Sequence, residues 1–256
     1  MSMKLVAMLR VKDEIMWIEQ CLARLSEFVD EIVILDNGST DGTIEVYKNF
    51  PKIRTVLKTE GYHEGRDKIM LHEAAKELNP DWIIWCDGDE LFEPAFDRTV
   101  VEQYMRSHYN KVTFRMCNFW LSKKWFRIDD RYFAYTLNPQ RSMWRNIPEA
   151  YFRDRKMHNG DIQAVPSPHY LSPYRIEHYG YANERKTRDK YERYKIIDTG
   201  SSRDYEHLNP DQRTLRLPYI AFSNRTLNYG YILLYKYCVT TIALSRRIVQ
   251  RVQKMF

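Results

Sequence analysis

An α/β fold with a mainly parallel sheet flanked by helices is predicted for this 256-residue chain from three features of residues 4–90. Short apolar runs alternate with helical patterns, the runs lack the polar alternation of one-sided strands, and acidic or turn-forming residues cluster where they end.

The first run, residues 4–11, is rich in Val, Leu and Met, as a strand buried on both faces should be. Asp13 opens a helical pattern in which Ile15, Ile18, Leu22, Leu25 and Val29 recur at spacings of three and four, making one apolar face. Residues 31–35 form a second strand. The turn-rich segment 36–43 follows, then a short helix to about Phe50, a strand at 53–57, a helix near 63–78 and a strand at 82–86. Three strand–helix units before a fourth strand imply ligand binding beyond the carboxyl ends of the strands.

Past Glu90 the regularity weakens. A helix near 100–108 and an apolar strand at 112–120 precede an Arg- and aromatic-rich stretch to about Ile176, where loops and antiparallel strands are expected. A charged helix is predicted over 183–197, and 217–256 reads as an aromatic, then basic, helical segment. The composition changes most sharply near residue 95, which divides the main unit, 1–198, into halves at about 1–95 and 96–198; residues 199–256 form the helical extension.

An apolar fraction of 44% with 14% aromatic residues suits a packed core and excludes a disordered chain. The four cysteines are scattered without a Cys-x-x-Cys pair, so neither a zinc site nor a disulfide framework is expected, and a reducing, cytoplasmic setting fits. The start, Met1-Ser2-Met3-Lys4, lacks the pattern of a secretory signal. No apolar run approaches the ~18 residues of a membrane span, and the nearest, 229–244, contains Lys236. A net charge of +6 would attract nucleic acid, anionic lipid or a phosphorylated substrate alike.

The strongest local signal is the end of the fourth strand, where Asp87, Asp89 and Glu90 surround Gly88. Burying these carboxylates without a cation would be costly. Their oxygens are hard ligands suited to Mg²⁺ or Mn²⁺, and Gly88 would let a phosphate approach the backbone. The competing interpretation is a solvated acidic turn. In the second signal, 36–43, local turn and cap preferences account for Asn37 through Thr43. They do not require Asp36, whose carboxylate could accept hydrogen bonds from a base or ribose.

Taken in order, Arg10-Val11-Lys12-Asp13-Glu14, the segment 36–43, Arg66 and 87–90 resemble the successive motifs of family 2 glycosyltransferases with the GT-A, Rossmann-like fold. Ile176-Glu177-His178-Tyr179-Gly180-Tyr181, followed by Lys186, Lys190 and Tyr194, resembles the end of the catalytic domain in some branches. The resemblance implies an inverting, metal-dependent enzyme using a nucleotide-sugar donor, bound by the first half, with a glycan, lipid-linked or protein acceptor on the second. By position, Arg10 and Glu14 would frame the base, Asp36 hold the nucleoside, Arg66 contact the nucleotide and Asp87 face the donor ribose or sugar. Asp87, Asp89 and His178 are the metal candidates, for Mn²⁺ or Mg²⁺, although a lone His also serves as a packing residue.

Two departures bear on this. Asp13 replaces the usual Asn, with a side chain able to cap the following helix. His158-Asn159 stands where related branches carry His-Glu, leaving Asp161, Glu149 and Asp154 as candidate bases, Asp161 nearest. The aromatic residues of 119–181 could pack against sugar rings, but core packing is their commoner role. The rivals are an Asp-x-Asp phosphohydrolase, whose motif normally ends the first strand, and a non-catalytic nucleotide-sugar or anion binder. Retained strand-tip carboxylates argue against a nucleic-acid binder. In the extension, Ile232, Tyr235, Val239, Ile242 and Val249 suggest an apolar face beside Arg246, Arg247, Arg251 and Lys254. Such a helix either lies on an anionic membrane or packs on the domain.

Overall fold

The four apolar runs form strands β1 (Leu5–Val11), β2 (Glu31–Asp36), β3 (Ile53–Lys58) and β4 (Trp82–Asp87), all parallel, with β1 between β2 and β4. The computed structural model describes residues 3–129, 138–157, 160–197, 205–214 and 216–219, with Tyr237 and Thr241. Most of the predicted C-terminal helical segment and the His158-Asn159 pair therefore lie outside the described residues, while residues 217–218, expected as its start, belong to a strand, and Tyr237 and Thr241 are helical.

Successive side chains of a strand point to opposite faces, so each central strand feeds two cores. On one face Leu5, Ala7, Leu9, Ile32, Ile34 and Ile84 pack with Ile18, Cys21, Leu22 and Leu25 of helix α1 (Ile18–Ser26). On the other, Val6, Met8, Val33 and Ile83 pack with Leu71, Ala74 and Ala75 of helix α3 (Glu64–Glu77), which follows the short helix α2 (Thr43–Val46). Each fully buried aliphatic side chain contributes about 1.5–3 kcal/mol, so both halves of the pattern stabilise one sheet. β3, at the edge, alternates between partly buried and exposed residues.

α3 begins at His63, whose Nδ1 accepts the Arg66 N–H at 3.1 Å. Gly65 is needed there because a side chain would collide with the backbone of Arg155, whose carbonyl accepts the Gly65 N–H at 2.8 Å. The expected cap from Asp13 is not formed. Asp13 has φ +52° and its carboxylate accepts the Thr40 N–H at 2.8 Å, while α1 starts only at Ile18. Ile15 accordingly falls outside the helix and is exposed.

The second half extends the same sheet. After β5 (Glu90–Phe92) and helix α4 (Arg98–Arg106) come β6 (Lys111–Asn118), β7 (Trp125–Arg127), β8 (Arg141–Arg145) and β9 (His169–His178). The eight-stranded order is β3-β2-β1-β4-β8-β6-β9-β5, parallel through β4 and mixed beyond it. β8 runs antiparallel between β4 and β6, and β9 pairs parallel with β6 and antiparallel with β5. Helix α5 (Glu184–Ile197) follows, and β10 (Arg216–Pro218) pairs with β7. Trp120 and Trp144 are fully buried, and Tyr179 stacks between Trp17 and Phe119 at 4.8 and 4.7 Å, so these aromatic residues serve packing. Among the described residues no helix is long and apolar enough to cross a membrane.

Candidate active site

A cavity of about 640 Å³ opens where β1, β4, β6 and β9 end, lined by Arg10, Asp87, Asp89, Asn118 and His178 among others. The β1–β4 register sets Arg10 directly beside Asp87. Asp87 Oδ2 accepts Arg141 Nη2 at 2.9 Å, but its Oδ1 lies 3.9 Å from Arg10 Nε without a hydrogen bond. Arg10 Nη1 is likewise buried without a hydrogen-bond partner. Buried polar atoms are nearly always satisfied, so an unmatched donor and acceptor side by side mark a place for a polar ligand.

Asp89 is 4% exposed, with His178 Nε2 at 3.4 Å and Lys190 Nζ at 3.8 Å. Burial alone would raise its pKa, but His178, Lys190 and Arg141 hold it well below the usual carboxylate range. His178 Nδ1 lies 2.6 Å from Asn118 Oδ1. If the proton is assigned to Nδ1, the Nε2 lone pair faces Asp89, an arrangement that favours a cation between them. Any side chain at Gly180 would collide with Asp89 Oδ2 and come within 2.7 Å of His178 Nε2, so glycine keeps this space open. The residues present fit a divalent ion.

The group able to hold an ion, among the described residues, is Asp89, Glu90 and His178, with ligand atoms within 4.8 Å of one another. Asp87, expected as a ligand, is not in it; its Oδ2 accepts from Arg141. Glu90 is itself engaged: both oxygens accept from Arg141, and Oε2 also accepts the Asp87 N–H at 3.1 Å. Burial pushes its pKa up. Gly88 lines the cavity, but the direction a side chain would take is filled by Val11 and Ile18, so packing accounts for this glycine.

The other predicted residues divide. Glu14 lines the cavity, accepts Lys186 Nζ at 3.0 Å, and has its pKa pushed up to about 7 by burial and by Asp89. Asp36 does not line it. That carboxylate is fully buried, accepting the Ser39 N–H at 2.6 Å and the Tyr47 hydroxyl at 2.7 Å, so it braces the turn. Arg66 also lies outside the lining. It binds the Glu60 and Gly61 carbonyls at 3.0 and 2.9 Å and so holds the loop that carries Tyr62 into the cavity. Asp161 lines the cavity, paired with Lys111 at 2.7 Å and accepting from Ser142 Oγ at 2.5 Å and its neighbour's N–H at 2.8 Å. Glu149 and Asp154 are exposed and outside the lining.

Sequence reasoning did not single out Lys68 or Arg141, read Asn37 only as a turn residue and named Lys190 only within the motif that follows His178, whereas all four line the cavity. Asn37 Nδ2 donates to Thr59 Oγ1 at 2.6 Å and Asp67 Oδ2 at 3.1 Å. Lys68 sits 3.8 Å from the Trp85 ring centre, and burial pulls its pKa to about 8. The Glu64–Lys68 spacing was a faint signal; Arg141 had none, since its partners lie 51 and 54 residues away.

The chain belongs to glycosyl transferase family 2, whose profile matches residues 10–162, more than half of it. Its α/β layer is of the GT-A type. Uncharacterised proteins of Mycobacterium bovis and Mycobacterium tuberculosis are each 28% identical over 107 residues, 39% of this chain and 26% of the relative. The match thus spans about a quarter of each relative's length. Among solved structures, residues 1–349 of Staphylococcus aureus TarS in complex with UDP-GlcNAc are 14% identical, covering 81% of this chain and 70% of that one, with a TM-score of 0.43. Glucosyl-3-phosphoglycerate synthase from M. tuberculosis, in complex with Mn²⁺, UDP and glucosyl-3-phosphoglycerate, is 16% identical, covering 56% and 57%, with a TM-score of 0.41.

Proposed function

We propose that this protein transfers a sugar from a nucleotide-sugar donor to a glycan, lipid-linked saccharide or protein acceptor, with inversion at the anomeric carbon. The observation that carries the proposal is the unmatched buried pair on two residues of the cavity lining, Arg10 Nη1 and Asp87 Oδ1, beside Asp89 and His178. A phosphate oxygen can satisfy the guanidinium, and a ribose or sugar hydroxyl the carboxylate.

During transfer, negative charge grows on the departing diphosphate while the sugar gains oxocarbenium character. Fixed cations in a low-dielectric cavity stabilise that charge more in the transition state than before it. Arg10 and Lys190 line the cavity and supply such charge. Asp89 and His178, with Glu90 adjacent, would hold a divalent cation, which when bound supplies further neutralisation of the leaving group. Asp161 is the candidate base, because it is the one proposed carboxylate of the three that reaches the cavity. Accepting the acceptor's hydroxyl proton would require its pairing with Lys111 or Ser142 to loosen. Those bonds favour the second reading, a nucleotide-sugar binder without turnover.

Thermal unfolding with a panel of nucleotide sugars and Mn²⁺ tests donor binding. A donor at a hundred times its Kd stabilises by about 2.7 kcal/mol, so one class should raise the Tm clearly. No shift with any donor would contradict the proposal.

A further inference from the structure

Lys190, Arg193 and Tyr194 fall at spacings of three and four on α5, and all three line the cavity. Lys190 reaches the acidic cluster: its Nζ lies 3.8 Å from Asp89 Oδ2 and 4.7 Å from the Tyr181 ring centre. Its side chain is 18% exposed. An ammonium carries three donors, yet this one makes no hydrogen bond to a described residue and faces Asp89 at a distance too long for one. Lys186, one turn earlier, anchors α5 with two of its three donors, to the Asp13 carbonyl at 2.6 Å and to Glu14 at 3.0 Å. The contrast separates a structural lysine from one held with its donors available. Gly180 preserves that freedom, since a side chain there would approach Lys190 Nζ to 3.0 Å.

Asp89 therefore has two prospective cations. A divalent ion on Asp89 and an ammonium 3.8 Å from the same oxygen repel each other, so binding of the first displaces the second. A displaced Lys190 remains on α5 beside the cavity, where a diphosphate offers acceptor oxygens.

We propose that Lys190 is a resident cation of the donor site, which competes with a divalent metal for Asp89 and binds the diphosphate of the donor, so that nucleoside diphosphate is bound even without metal. This rests on the nucleotide-sugar reading of the cavity. Because competition is reciprocal, removing the ammonium must strengthen metal binding while weakening nucleotide binding. A packing defect would weaken both.

The test uses the full chain, as wild type and as Lys190→Met, Lys190→Gln and Lys190→Arg, with folding checked by circular dichroism. Calorimetry measures binding of the uridine, guanosine, adenosine, cytidine and thymidine diphosphates and their parent nucleosides, in chelator and in Mn²⁺. Paramagnetic resonance measures Mn²⁺ binding to nucleotide-free protein. In chelator, wild type and Lys190→Arg should prefer one diphosphate over its nucleoside, and the neutral variants should lose about tenfold of that preference. The neutral variants should also bind Mn²⁺ more tightly than wild type, by a similar factor. Unchanged diphosphate binding in chelator, or unchanged or weaker Mn²⁺ binding by the folded variants, would overturn the proposal while leaving the donor site intact. Failure of wild type to bind any diphosphate even with Mn²⁺ would overturn the donor-site reading itself.

Discussion

Arg10 and Asp87 are direct partners in the β1–β4 register, and each keeps a buried polar atom without a hydrogen bond. Their closest approach is 3.9 Å, too long to satisfy either. One ligand that bonds both would couple them. Arg10→Met and Asp87→Asn should each lower nucleotide-sugar affinity about tenfold or more, and the double variant should lose less than the sum. A double-mutant cycle by calorimetry checks this; strictly additive losses would show that the two residues do not share a ligand.

Asp36 and Asn37 are adjacent in sequence but differ in task. Asp36 braces the turn through Ser39 and Tyr47, whereas Asn37 lines the cavity. Asp36→Ala strands two buried donors at about 1–3 kcal/mol each, so it should depress the Tm more than Asn37→Ala does. Asn37→Ala should have the larger effect on nucleotide affinity per unit of stability lost. Melting curves and titrations on both variants measure the ranking, and the reverse order would restore Asp36 as the nucleoside contact.

Much of this architecture was legible in the sequence for a local reason. β1 to β4 are apolar runs joined by helices, of which β1–β2 and β2–β3 pair in chain order while β4 crosses over to β1, and His63 and the helix spacings mark boundaries through contacts three or four residues long. β8 was not legible. It enters the sheet between β4 and β6 by pairing Ile83 with Trp144, a contact across some sixty residues that no periodicity encodes. The site divided along the same line. Asp87 and Asp89 sit at a strand tip, were singled out from sequence and line the cavity, while the arrangement of Arg141, Lys190 and the space above Gly180 around them arises only once distant strands and α5 meet. Asp36 stands apart from the cavity lining because burial, not residue type, decides whether a strand-tip carboxylate faces a ligand or its own turn.

His72 on α3 offers a test of the second core, packed 5.8 Å from Trp144 and 5.7 Å from Phe152 between ring centres. Burial, with help from Lys76, lowers its pKa to about 4 from 6.5. The folded state thus resists protonation that the unfolded chain accepts. The stability this gives is complete above pH 6.5 and is lost as pH falls through 4. Urea midpoints taken between those limits should decline less steeply for His72→Leu than for wild type; equal slopes would show that His72 is not held neutral.

Asp89→Ala removes the carboxylate nearest both His178 and Lys190. Mn²⁺ should then cease to enhance nucleoside diphosphate binding, and Asp89→Asn should be nearly as damaging, because a hard cation needs the charged oxygen. Titrations with and without Mn²⁺ decide this, and full enhancement in either variant would place the metal elsewhere.

Group transfer itself is tested most directly by incubating the protein with nucleotide sugars, Mn²⁺ and candidate acceptors and measuring released nucleoside diphosphate, for wild type and for Asp161→Asn. With a correctly placed base worth about 10²–10⁴-fold, one donor class should release diphosphate in an acceptor-dependent way. Asp161→Asn should still bind donor yet lose most of that rate. Release from no donor with any acceptor, despite donor binding, would contradict the account and leave a binding protein in its place.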